Sequence, residues 1–145
     1  MQRSVMIAAI FALTAGTVAA QVDIIKNRQT IMKGVGKATG DLFKVVKGEA
    51  KFDLKQAQDA FAIYADAGKK MPGLFPDTTK TGGDTAALPK IWEAKADFEA
   101  RFAKLTADSE RLGPTINDEA SFKVALTEVT KNCGGCHELY RQKQN

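Results

Sequence analysis

Apolar residues recur along the chain at steps of three and four, and no segment alternates with period two over a strand's length. From about Ile24 to Val46 the stripe is Ile24, the stem of Arg28, Ile31, Val35, Leu42 and Val45, widened by Met32, Ala38 and Phe43. Gly34, Gly36 and Gly40 weaken this helix intrinsically and point to a bulky group near the backbone or to a need for flexibility. Gly48 ends it. Asp53 opens a second helix, with Gln56 three residues on as in a capping box. Leu54, Ala57, Phe61 and Tyr64 form its face, and Gly68 closes it. Pro89 suits the first turn of a third helix, with Ile91, Trp92, Ala96, Phe98, Phe102 and Leu105 on one face and a stop at Gly113-Pro114. Asn117 or Asp118 caps a fourth, whose face carries Phe122, Leu126, Val129, Cys133, Cys136, His137 and Tyr140. Helices joined mostly by short loops predict an all-α fold, an antiparallel four-helix bundle. One connection is long, Lys69 to Leu88, and a loop of that length usually covers something or serves function.

The beginning of the chain has a different pattern. Arg3 gives a short basic start, Val5 to Val18 runs without a charge, and Val18-Ala19-Ala20 precedes Gln21 in the manner of a signal-peptidase site. Residues 1–20 are therefore expected to be a cleaved secretory signal and 21–145 the mature domain, exported to the periplasm with no membrane span after cleavage. Twenty-one basic against 17 acidic residues give a formal net charge of +4, too small and too dispersed for a nucleic-acid footprint.

Candidate chemistry gathers in five residues. Positions 133 to 137 read Cys-Gly-Gly-Cys-His, using both cysteines and the single histidine of the chain. This is the C-x-x-C-H attachment signature of c-type haem. On a helix, positions i and i+3 face the same way, so both thiols reach the two vinyl groups along one porphyrin edge. His137 then swings beneath the iron as proximal ligand, and Gly134 and Gly135 leave the space between the thiols clear. Other readings are weaker. A Cys133–Cys136 disulfide closes too small a loop to stabilise much, a thioredoxin-like dithiol needs a βαβ setting, and zinc needs a fourth ligand. With no second histidine, the thioether donors that remain for the other haem face after removal of residues 1–20 are Met32 and Met71. Met32 lies on the stripe of the first helix, where a gap-filling core methionine would lie as well.

The whole of residues 21–145 resembles the class II c-type cytochromes, the cytochrome c′ family. Cys133-Gly-Gly-Cys-His137-Glu-Leu-Tyr140-Arg141 matches the family ending, Arg28-Gln29-Thr-Ile-Met32-Lys33 its first-helix signature, and Pro89-Lys-Ile-Trp92 its third-helix entry. Five-coordinate cytochromes c′ usually have a non-ligating residue at the position of Met32 and bind nitric oxide or carbon monoxide. The low-spin cytochrome c-556 branch has Met there as the sixth ligand, and the run Met71 to Lys80 resembles its inter-helix loop. The resemblance thus implies one covalent haem c on Cys133 and Cys136, iron ligation by His137 and Met32, and Arg28 at a haem propionate with Gln29 sharing that role. It implies Arg141 near the proximal imidazole, although a cation there also complements the helix dipole. Trp92 and Tyr64 are expected to pack in the core or on the haem. The expected function is electron transfer to redox partner proteins, by a monomer or homodimer and without enzymatic machinery. Gas binding by a five-coordinate haem is the alternative.

Overall fold

A computed structural model describes residues 5–143, with side-chain surroundings from residue 19 onward; Arg3 lies outside the described residues. Helix α1 spans Val5–Val46, α2 Leu54–Lys70, α3 Lys90–Glu93, α4 Lys95–Leu112 and α5 Glu119–Tyr140. The long helices form a four-helix bundle, and α3 is a single turn leading into α4. The helix expected from about Ile24 begins further upstream, because the charge-free run has no residue that interrupts α-helical hydrogen bonding. No helix among the described residues is long and apolar enough to cross a membrane.

Local sequence accounts for most boundaries. The Asp53 carboxylate accepts from the Gln56 backbone N–H at 2.7 Å, capping α2. Asp118 caps α5 reciprocally with Ser121. The third predicted helix is interrupted at Ala94 (φ −125°, ψ 46°), where the chain leaves helical geometry for one residue. That break resets the helical phase, so Ala96 faces solvent while Ile91, Phe98 and Phe102 remain buried. Two other stripe positions also differ from expectation. Phe43 is 40% exposed and Leu54 39%, because both flank the α1–α2 turn at the end of the bundle, while Leu42 and Ala57 fill the core beside them.

Gly68 does not terminate α2, which continues to Lys70. Its role is close approach. A Cβ there would lie 2.2 Å from Thr106 Oγ1 and 3.0 Å from the Phe102 carbonyl oxygen on α4. The hydroxyl of Thr106 is itself bonded to that carbonyl, so the wall cannot easily retreat. Gly68→Ala should therefore destabilise the protein by about 1–3 kcal/mol despite raising helix propensity. A urea midpoint equal to or above that of the wild type would contradict this close-packing account. By contrast, no protein group approaches a Cβ built at Gly34, Gly36 or Gly40, so the chain's own atoms do not supply the bulky neighbour expected there.

The packing of the bundle is uneven, and this creates the site. Helix α2 lies closely along α4, α1 packs on α2 and α5 on α4, whereas α1 and α5 scarcely approach one another. A slot therefore separates the first and last helices. The 71–89 connection runs along its edge through two short 3-10 turns, Pro72–Leu74 and Asp77–Thr79. It is fastened to α1 by Gln29, which donates to the Asp84 carbonyl at 2.8 Å. At its other end Ala87 bridges Arg141, and the Gln142 N–H donates to the Ala86 carbonyl at 2.8 Å. Gly82 and Gly83 take positive φ (81° and 73°), and a Cβ on Gly83 would meet Ile25 at 2.5 Å. The covering role expected of this loop is thus visible as a strap across one side of the slot.

Candidate functional site

The slot between α1 and α5 is an open, largely apolar cleft of about 990 Å³ including the solvent at its mouth. Helix α5 contributes Cys133, Cys136 and His137, and α1 contributes Arg28, Gln29 and Met32. All six candidates from the sequence therefore line one cavity, although about a hundred residues separate the two groups. Phe98, Phe102 and Leu105 of α4 form its apolar floor, and Thr85 to Ala87 of the strap close one end. Met71 also lines it while being only 3% exposed, so both thioether donors face the same space.

The two thiols and the imidazole are each half-buried, and both cysteines are free. Burial pushes both thiols above their ordinary pKa. A redox-active dithiol needs the opposite shift; these cysteines lie in the second half of α5, away from its N-terminus, and the charge of Arg101 near Cys136 does not outweigh burial. Burial, and then the charge of Arg141, lowers the pKa of His137. The imidazole is thereby kept neutral, the form that binds a metal. Among the described residues, no cluster of three or more His, Cys, Asp or Glu side chains could hold a metal ion by itself.

Arg28 is the most unusual group in the cavity wall. It is 4% exposed, and its guanidinium lies 4.4 Å above the Phe75 ring. Nη1 donates a long hydrogen bond of 3.5 Å to Thr79 Oγ1, while Nη2 is buried with no partner. Burial lowers its pKa, yet a guanidinium remains charged across the physiological range. A buried cation without a carboxylate is costly unless an anion completes it.

With this geometry in view, residues 23–141 match the family model described as Cytochrome C'. The chain belongs to the cytochrome c′ family. It is 48% identical to a cytochrome c′ of Rhodopseudomonas palustris over 99% of this chain and 98% of that protein. A cytochrome c-556 of the same organism is 32% identical over 99% of both chains. Among solved structures, cytochrome c′ from R. palustris superposes with a TM-score of 0.82 at 50% identity, covering 85% of this chain and 98% of that one. A structural model of oxidised R. palustris cytochrome c556 gives 0.77 at 29% identity, over 85% and 98% of the two chains.

Haem c is the cofactor of this family, and the residues present fit it. Two thiols three positions apart on one helix, an adjacent neutral imidazole and an apolar slot suit a flat, covalently held macrocycle. The orphaned Nη2 of Arg28 suits one of its carboxylates.

Several residues of the site were not legible as such in the sequence. Arg101 on α4 lines the cavity, pairs with Asp97 at 2.7 Å and donates to the Gly135 carbonyl at 3.2 Å. Its only sequence signal is an i,i+4 charge pair, which is common on any helix. Phe75 and Thr79 sit in the irregular strap and follow no period. Trp92 and Tyr64 stay outside the cavity wall. The indole N–H of Trp92 donates to the Pro76 carbonyl at 3.3 Å, and the Tyr64 hydroxyl bonds Thr39 at 2.9 Å, its pKa pushed up to about 12 by burial.

Asp108 ties α4 to the turn of α5 that carries the thiols. It accepts from Lys104 at 2.6 Å, from Asn132 at 2.8 Å and from Arg111 at 3.2 Å. Lys104 first, then Asn132, hold its carboxyl down to about 2. The folded form therefore binds the proton less readily than the unfolded form, and the stabilisation is complete above about pH 4 and fades toward about pH 2. Asp108→Asn should cost about 1 kcal/mol at neutral pH, after allowance for screening of the surface charges, and flatten this acid limb. Denaturation midpoints measured across that range would test it; parallel wild-type and mutant curves would refute the assignment.

Proposed function

We propose that this protein is an exported, one-haem electron carrier in which His137 and Met32 ligate the iron from opposite walls of the slot. The observation that carries the reading is Met32 lining the same cavity as His137 and both thiols, from the opposing helix. Cys133 and Cys136 hold the group, His137 supplies the neutral imidazole, and Arg28 binds a propionate with Gln29 close by. When bound, the haem supplies a one-electron couple, and His/Met ligation raises its potential. The chain's own contribution would be to hold His137 and Met32 toward the group and to keep its surroundings dry with Phe98, Phe102 and Leu105. The reading includes no enzymatic step. Export rests on the charge-free run before Gln21, with a mature mass of residues 21–145 plus one haem as its expected signature.

Overall similarity supports a second reading. Identity with cytochrome c′ is higher than with cytochrome c-556, which favours a five-coordinate haem that takes nitric oxide or carbon monoxide. Identity weighs all positions alike, whereas the sixth ligand depends on one side chain. Absorption and EPR spectra of the oxidised protein, followed by carbon monoxide titration of the reduced protein, separate the two. A low-spin spectrum with weak carbon monoxide binding supports Met32 ligation. A high-spin spectrum with ready binding replaces it with the gas-binding reading.

A further inference from the structure

We propose that Asp97, Arg101 and Tyr140 form a fixed dipole whose positive end is held against the haem-attachment turn and raises the reduction potential. The inference rests on the haem reading and concerns residues outside the axial ligands. Arg101 has a side chain only 34% exposed. It is held at three points. Nε pairs with Asp97 Oδ2 at 2.7 Å, Nη1 donates to the Gly135 carbonyl at 3.2 Å, and the guanidinium lies 5.8 Å from the centre of the Tyr140 ring. The Tyr140 hydroxyl donates to the same Asp97 oxygen, which locks the carboxylate from α5.

The arrangement has a direction. Arg101 and Tyr140 line the cavity that contains His137, and Asp97 does not. The cation is therefore the nearer pole, and the carboxylate stands behind it. Oxidation adds one positive charge at the iron, and a fixed cation beside the site disfavours that state by an amount set by distance and local polarity. Pinning at three points keeps the guanidinium from turning away to solvent, as a surface arginine ordinarily does. The contact with Gly135 also ties α4 to the residue immediately before Cys136.

Opposite shifts follow for the two poles. Arg101→Gln removes the nearer charge and should raise the oxidised-to-reduced ratio at fixed poise about threefold, about 30 mV downward for a one-electron couple. Asp97→Asn leaves the cation uncompensated and should move the ratio the other way. Arg101→Lys, which retains charge, should restore most of the wild-type potential. The experiment is a mediated redox titration of the holoproteins, with intact mass establishing one haem on each. Potentials that fall together in both the Gln and Asn variants would reveal loss of order and water entry, overturning the proposal; unchanged potentials overturn it as well. If Arg101→Gln yields no folded holoprotein, the isosteric Asp97→Asn variant decides alone. An increase supports the dipole, and a decrease or no change rejects it. A wild-type chain without haem on intact mass removes the cofactor reading itself.

Discussion

Met32→Ala is expected to convert a low-spin haem into a five-coordinate, high-spin one and to open the iron to carbon monoxide. An external ligand competing with the thioether binds only the fraction of molecules whose sulfur is detached, so its apparent affinity is reduced by that fraction. If the sulfur is free about 1% of the time, deletion should increase carbon monoxide affinity on the order of 100-fold. Met71 provides the control. It lines the same cavity, but its backbone N–H is bonded to Ala67 at the end of α2, and its side chain belongs to the buried core. Met71→Leu should leave the spin state unchanged and cost stability only. A high-spin spectrum from Met71→Leu, with Met32→Ala still low-spin, would reverse the assignment of the two methionines.

Arg28→Leu is expected to destabilise the holoprotein by about 3–5 kcal/mol, the usual penalty for removing one partner of a buried ion pair. The direction of the effect carries the information. Arg28 makes no ion pair among the described residues, and its Nη2 has no acceptor. If that cation had no anion to meet, replacing it with an apolar side chain would be neutral or stabilising. With a haem carboxylate as partner, the same change leaves a buried anion uncompensated, and the protein weakens. Guanidinium chloride unfolding of wild type, Arg28→Leu and Arg28→Lys tests this. Lys should lie between the others, because it keeps the charge but loses the fork and the stacking on Phe75. An unfolding midpoint for Leu at or above that of wild type would remove the propionate role.

The haem signature was legible because it is local. Cys133, Cys136 and His137 fall within five residues, and helical geometry alone puts them on one side of α5. The cap at Asp53 was legible for the same reason, and that of α5 to within Asn117 or Asp118, since each acts on a backbone N–H three residues away. Phe43, Leu54 and Ala96 show where periodicity fails. At the end of a bundle or after a one-residue break, the same spacing places a side chain in solvent.

The facing of α1 and α5 across the slot belongs to the tertiary structure, because α2 and α4 take the close packing and hold the outer helices apart. Gly68 helps to set that balance by letting α2 approach Thr106. The roles of Thr79, Phe75 and Arg101 arise in the same way. Each acts on a residue between 34 and 51 positions away, a distance over which no sequence period carries information. By itself the sequence determined the attachment chemistry and the helical class, since both depend on neighbours within one turn. The folded bundle decided which side chains of α1 face His137 across the slot, because only packing brings distant turns within reach.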